Sequence, residues 1–276
     1  MNFAKLKTQG TAALPSLFTI GNMACGFFAI LSAIDKEFAR AGWLIIGAMV
    51  MDSLDGRVAR LVKAESKFGI EIDSLADFLS FGVAPAFIMY LFLLKDYGFW
   101  GYPVAFIYAL CGVLRLARFN VLSHDGKSSK KYFTGLPIPA AAGILASFVL
   151  SYSLLEMDTA PHAMKFISSE LPLIYSMIPF IMLAISFLMV STIPYAAFKS
   201  GNFLKPRRLS ALLFAVALLF LVIAYPQNSI FIVFSLYVLS GIIARLWRAF
   251  YPVAKQDEQA ECPPPSDTTP HSELPH

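Results

Sequence analysis

The sequence predicts an all-α, polytopic transmembrane bundle, and three observations lead there. Of its 276 residues, 57% are hydrophobic and only 14% charged, with a mean hydropathy of +0.65, which is too apolar for a soluble domain. Apolar stretches near 20 residues, long enough to cross roughly 30 Å of hydrocarbon, can be placed about eight times. Lysine and arginine concentrate in alternate loops, the asymmetry expected of a multi-pass chain.

Taken in order, the expected spans are 15–33, 41–62, 69–94, 101–119, 136–155, 171–195, 209–225 and 229–250. Short turns are expected at Asp35–Arg40, Lys95–Gly98 and Tyr225–Asn228, and a longer polar loop at Glu156–Glu170. No small-residue cleavage site follows the first apolar stretch, so that span is expected to stay in the membrane. Eight spans place both termini on one side. Lys36, Arg40, Lys95 and Lys165 would lie on the other, leaving 18 of the 22 Lys and Arg on the side of the termini. The positive-inside rule makes that side cytoplasmic. From Gln256 to His276 the chain turns polar and Pro-rich and is read as a disordered tail.

Other bulk features exclude more than they suggest. The three cysteines, Cys25, Cys111 and Cys262, fit neither a disulfide framework nor a structural zinc site. The net charge of +4 means little on its own, and no nucleic-acid partner is expected. No internal repeat is evident.

Chemistry enters with four carboxylates. Asp52 and Asp55 are spaced i, i+3, and Asp73 and Asp77 i, i+4, so each pair shares one helix face. A carboxylate near a membrane helix centre costs roughly 2.5–3.5 kcal/mol on insertion scales. Two such faces turned together form an oxygen-lined anionic cage that calls for compensating cations, most simply one or two divalent metals. Gly56 and Ala59 lie beside the first pair and allow a ligand to approach the helix backbone closely. Arg60 adds a planar donor fork suited to phosphate, and Gly69 opens the next span. Metal cage, small-residue shelf and arginine together describe a site for a nucleotide diphosphate. The competing reading is a structural polar network or a cation pathway in an ion-coupled transporter, whose acidic groups would more naturally lie near the bilayer midplane. Glu71, between the pairs, points to another face and is read as a bystander.

The pattern Asp52-x2-Asp55-Gly56-x2-Ala59-Arg60-x8-Gly69-x3-Asp73-x3-Asp77 resembles the signature of the CDP-alcohol phosphatidyltransferase family at every fixed position. That resemblance implies a six-helix catalytic core, a site for two Mg2+ or Mn2+ ions, and displacement of CMP from a CDP-linked donor by an alcohol hydroxyl. It implies Asp52, Asp55, Asp73 and Asp77 as metal ligands and Asp77 as general base. Gly56, Ala59, Arg60 and Gly69 would hold the nucleotide and its phosphates. A carboxylate is a weak base, so proton transfer must accompany attack or be assisted by metal. The expected organisation is a cytoplasmic segment 1–14, a six-helix core 15–200, two additional helices 201–252 and a tail 253–276. A homodimer is expected by resemblance alone.

Which alcohol is accepted depends on softer signals. Leu14-Pro15 through Asn22, Arg115-Leu-Ala-Arg118-Phe-Asn120 and Tyr132 through Gly143 resemble the family's L-serine-using subgroup of bacteria and archaea. This implies CDP-diacylglycerol and L-serine as substrates in a bacterial-type inner membrane, with the active site facing the cytoplasm. Arg115 and Arg118 either anchor a helix end at the interface or bind donor phosphate or the serine carboxylate; Asn120 follows them as a candidate acceptor contact. Asn22 either donates to a phosphate or cytidine group or makes an interhelical hydrogen bond. Gly135-Leu-Pro137-Ile-Pro139 either starts a helix or shapes the acceptor pocket. Lys127, Lys130 and Lys131 are read as contacts to membrane lipid headgroups. Glycerol 3-phosphate, an inositol phosphate or choline remain alternative acceptors. A covalent phosphatidyl-histidine route is disfavoured, because none of His124, His162, His271 and His276 is followed two positions on by lysine.

Overall fold

A computed structural model describes residues 3–62, 67–124, 132–156, 171–196 and 226–250. Helices dominate them: α1 (Phe3–Ile34), α2 (Phe38–Val62), α3 (Lys67–Asp77), α4 (Ala84–Phe92), α5 (Gly101–His124), α6 (Ile138–Glu156), α7 (Leu171–Val190) and α8 (Pro226–Phe250). These overlay seven of the eight expected spans, and the span at 209–225 lies outside the described residues, as do the loop 157–170 and the tail. Among the described residues four windows are long and apolar enough to cross a membrane: Leu17–Ile34, Phe68–Phe92, Leu94–Leu122 and Pro226–Ile243. In lipid only a helix or a closed barrel satisfies every backbone polar group internally, which is why such stretches fold as continuous helices.

α1 and α2 form an antiparallel hairpin, reversed at Lys36, whose φ is +63°. The two helices pack together, and both bury small residues, Ala29 and Ala33 on α1 and Ala41 and Ala48 on α2, the usual means by which membrane helices approach closely. α3 and α4 are one rod interrupted by a π-helical turn, Phe78–Val83, which begins directly after Asp77. α6 packs on α2, α8 on α6, and α7 on α5. α1 starts at Phe3, so residues expected as a separate N-terminal segment continue the first helix.

Two three-residue strands, β1 (Tyr132–Thr134) and β2 (Pro194–Ala196), form an antiparallel ribbon with Phe133 opposite Tyr195, an addition to the purely helical expectation. The ribbon joins the start of α6 to the end of α7. Gly135 N donates to Ile193 O at 2.8 Å and Leu136 N to Leu188 O at 3.0 Å. Pro137 then accepts the first helical bond of α6, from Ala141 N at 3.0 Å. The Gly-Leu-Pro-Ile-Pro run thus serves as a helix start held against the end of α7. Gly135 has φ +84°, and a Cβ there would stand 2.5 Å from Met189 O. Gly135→Ala is therefore expected to cost about 2–3 kcal/mol from strain alone, read as a lowered Tm of detergent-solubilised protein. An unchanged Tm would show that the ribbon yields without loss.

Candidate active site

The four aspartates converge where α2 faces α3. The helical spacings hold each pair on one side of its helix, and contact of α1 with both α2 and α3 brings the faces together. One carboxylate oxygen from each of Asp52, Asp73 and Asp77 lies within 4.8 Å of the others, and all three side chains are half-buried. Asp55 is set slightly apart. It is 7% exposed, lies against Asp73, and receives Thr19 Oγ1 on its Oδ2 at 2.5 Å. By sequence Asp55 is a metal ligand or a residue that helps cap or orient; the structure sets it apart from the other three by this bond from α1.

Whether a divalent cation fits can be tested on the oxygens themselves. Among the described residues Asp55 Oδ1 and Asp73 Oδ1 are buried without a hydrogen-bond partner. Buried carboxylate oxygens left without donors are costly, and oxygens of this kind, several to a site, are what hard divalent ions take up. The donor set fits Mg2+ or Mn2+.

Around this cluster the remaining candidates separate. Asn22 of α1 is fully buried and donates from Nδ2 to Asp77 Oδ1 at 2.9 Å, so it faces the expected base. Arg115 of α5 is within electrostatic reach of Asp77 and of Tyr237 on α8, with its Nε buried and without a hydrogen-bond partner among the described residues. Arg118, one turn further, donates from Nη1 to Val190 O, the last carbonyl of α7, at 3.2 Å. Asn120 donates from Nδ2 to Ser74 Oγ at 3.0 Å, tying α5 to α3 next to Asp73. Of the three acceptor candidates, Arg115 reaches Asp77 electrostatically, and Asn120 bonds the neighbour of Asp73.

Gly56 is exposed on α2, and a Cβ there would meet nothing within 4 Å. Packing therefore does not require a glycine at this position. Gly69 falls in the first turn of α3. Ala59 and Arg60 occupy the last turns of α2, with side chains outside the described residues. Glu71 is exposed, in keeping with its reading as a bystander. Thr19, Ser74, Ser80 and Tyr237 escaped attention as site residues. Thr19 alone carried a signal, standing one turn before Asn22 on α1; the others depend on contacts between distant segments.

An acidic cluster recessed among helices apolar enough to cross a bilayer marks an integral membrane protein. Residues 12–169 match the CDP-alcohol phosphatidyltransferase family, and the chain belongs to that family of transferases. A Helicobacter pylori CDP-diacylglycerol–serine O-phosphatidyltransferase is 36% identical over 238 residues, covering 84% of this chain and 91% of the relative. An archaetidylserine synthase of Methanothermobacter thermautotrophicus is 40% identical over 191 residues, covering 68% of this chain and 72% of the relative. A Mycobacterium tuberculosis CDP-diacylglycerol–serine O-phosphatidyltransferase is 44% identical over 140 residues, 48% of this chain and 49% of its own.

Proposed function

We propose that this protein transfers a phosphatidyl group from CDP-diacylglycerol to the hydroxyl of L-serine, giving phosphatidylserine and CMP. The observation that carries the proposal is the convergence of Asp52, Asp73 and Asp77 oxygens within 4.8 Å across two helices, with Arg115 within electrostatic reach of Asp77. The names of the relatives favour serine as the alcohol. In this reading the reaction takes place at the cytoplasmic face of a bacterial-type inner membrane. The six-helix core 15–200 carries it, the helices in 201–252 flank it, and the protein works as a homodimer.

Asp52, Asp55, Asp73 and Asp77 would hold two divalent ions, Mg2+ or Mn2+. When bound, these supply neutralisation of the donor pyrophosphate and stabilisation of the departing CMP. The rest falls to the chain. Gly56, Ala59, Arg60 and Gly69 receive the nucleotide and its phosphates, with open space over Gly56 and the Arg60 fork for phosphate oxygens. Arg115 takes the serine carboxylate, which gives its free Nε a partner. Asp77 accepts the hydroxyl proton as the serine oxygen bonds to the lipid-bearing phosphorus, and the bond from that phosphorus to CMP breaks in line.

The test is direct. Purified protein, supplied with CDP-diacylglycerol and Mg2+ or Mn2+, is offered labelled serine, glycerol 3-phosphate, inositol phosphate or choline, and CMP release and lipid product are measured. Serine is expected to give both. Turnover with another alcohol and not serine would change the acceptor. An absence of CMP with every acceptor would remove phosphatidyl transfer and leave the aspartates to ion transport.

A further inference from the structure

We propose that Asn22 is a positioning residue for Asp77: from α1 it fixes the plane of that carboxylate through Oδ1 and so presents Oδ2 to the incoming hydroxyl. The inference rests on the assignment of Asp77 as base above and replaces the phosphate or cytidine contact that the sequence allows for Asn22.

Three observations support it. First, the bond is made in one sense only. Asn22 Nδ2 lies 2.9 Å from Asp77 Oδ1, and an ionised carboxylate offers only acceptors, so the amide nitrogen must face it. Second, Asn22 is held from behind. Ser80, fully buried in the π-helical turn, donates from Oγ to Asn22 O at 2.9 Å. The approach depends on Gly26, where a Cβ would stand 2.7 Å from Ser80 Cα. The turn that follows Asp77 therefore closes back on the same α1 residue that Asp77 faces. Base and donor are fixed as one unit, across a backbone separation of 55 residues.

Third, Asn22 is a poor choice for stability. It has no exposed surface, and its Oδ1 is buried without a partner among the described residues. A half-satisfied buried amide is worse for folding than an apolar side chain of the same shape. What remains is the service its nitrogen renders to Asp77. Orientation is costly to lose in a displacement, where misplacement by about 1 Å lowers rates on the order of 100-fold.

The test is Asn22→Leu in the full-length, detergent-solubilised protein, with steady-state kinetics in both substrates and a thermal melt. The expected result is a kcat lowered by about 10- to 100-fold, with the KM for CDP-diacylglycerol within about threefold of wild type and Tm within about 4 °C. Ser80→Ala, which loosens the support and leaves the amide, should give a smaller fall in kcat with the same unchanged donor KM. Three results would overturn the proposal. A kcat within twofold of wild type would remove the positioning role. A donor KM rising in step with the loss of kcat/KM would make Asn22 a nucleotide contact. A collapsed Tm or failure to fold would make it structural. Wild-type protein run alongside separates the two levels: no CMP from wild type sinks phosphatidyl transfer itself, whereas an active wild type with an equally active Asn22→Leu sinks the positioning role alone.

Discussion

Asp77→Asn is expected to lower turnover by about 1,000-fold or more, the upper part of the range for removal of a positioned general base. The substitution is nearly isosteric. The amide oxygen it introduces can still accept from Asn22, so the 2.9 Å bond that orients this position survives. What disappears is the capacity to take a proton, together with one negative charge from the cluster. Asp52, Asp55 and Asp73 remain, as do Gly56, Ala59, Arg60 and Gly69. Binding of CMP or CDP by calorimetry is therefore expected to change far less than kcat. The two measurements together decide the role. Full turnover in the variant would remove Asp77 as base. Parallel loss of binding and turnover would assign it to holding the nucleotide. Glu71→Gln is the matched control: Glu71 is exposed on the same helix, and its replacement should leave both quantities within about twofold of wild type.

The parts of this protein that were legible from sequence are those governed by local rules. A membrane forces long apolar runs into helices, so among the described residues the spans could be placed from sequence, except that α1 begins at Phe3, well before its expected start at residue 15. The i, i+3 and i, i+4 spacings of the aspartates fixed their shared faces before any contact was known. What escaped depends on which distant segments meet. Arg115 and Arg118 are one turn apart and look equivalent in sequence, yet Arg118 stands where α7 ends and gives its donor to Val190 O. Asn120 looks like a substrate contact and instead braces Ser74, the neighbour of Asp73. The π-helical turn is a matter of backbone bonding, with Ala84 N donating to Leu79 O, and the contact of Ser80 with Asn22 joins segments distant in sequence. The ribbon of β1 and β2 is likewise a pairing of segments more than 50 residues apart in sequence, at Phe133 and Tyr195. Asn22 stood open between two readings because a polar residue in a membrane helix serves ligand and neighbour with the same atoms.

Removing divalent ions is expected to reduce CMP release to background, with recovery when Mg2+ or Mn2+ is returned in excess. The charge of the site is the reason. Carboxylates of Asp52, Asp55, Asp73 and Asp77 face one region of the bundle, and the Arg115 guanidinium lies within electrostatic reach of Asp77. Each ionised carboxylate withdrawn from water costs several kcal/mol even after relaxation, and the donor would bring a further doubly charged pyrophosphate into the same space. A single guanidinium leaves most of that charge uncompensated, and two divalent ions cancel nearly all of the remainder. Their binding should also be visible without turnover. An ion that binds only the folded protein stabilises it by about 2.7 kcal/mol at 100 times its Kd, so Tm should rise with Mg2+ or Mn2+ and the rise should shrink in Asp73→Asn, whose Oδ1 is one of the two unpartnered oxygens. Activity that persists in excess chelator, with a Tm indifferent to added metal, would leave the four carboxylates without a counter-charge and remove the divalent site from the mechanism.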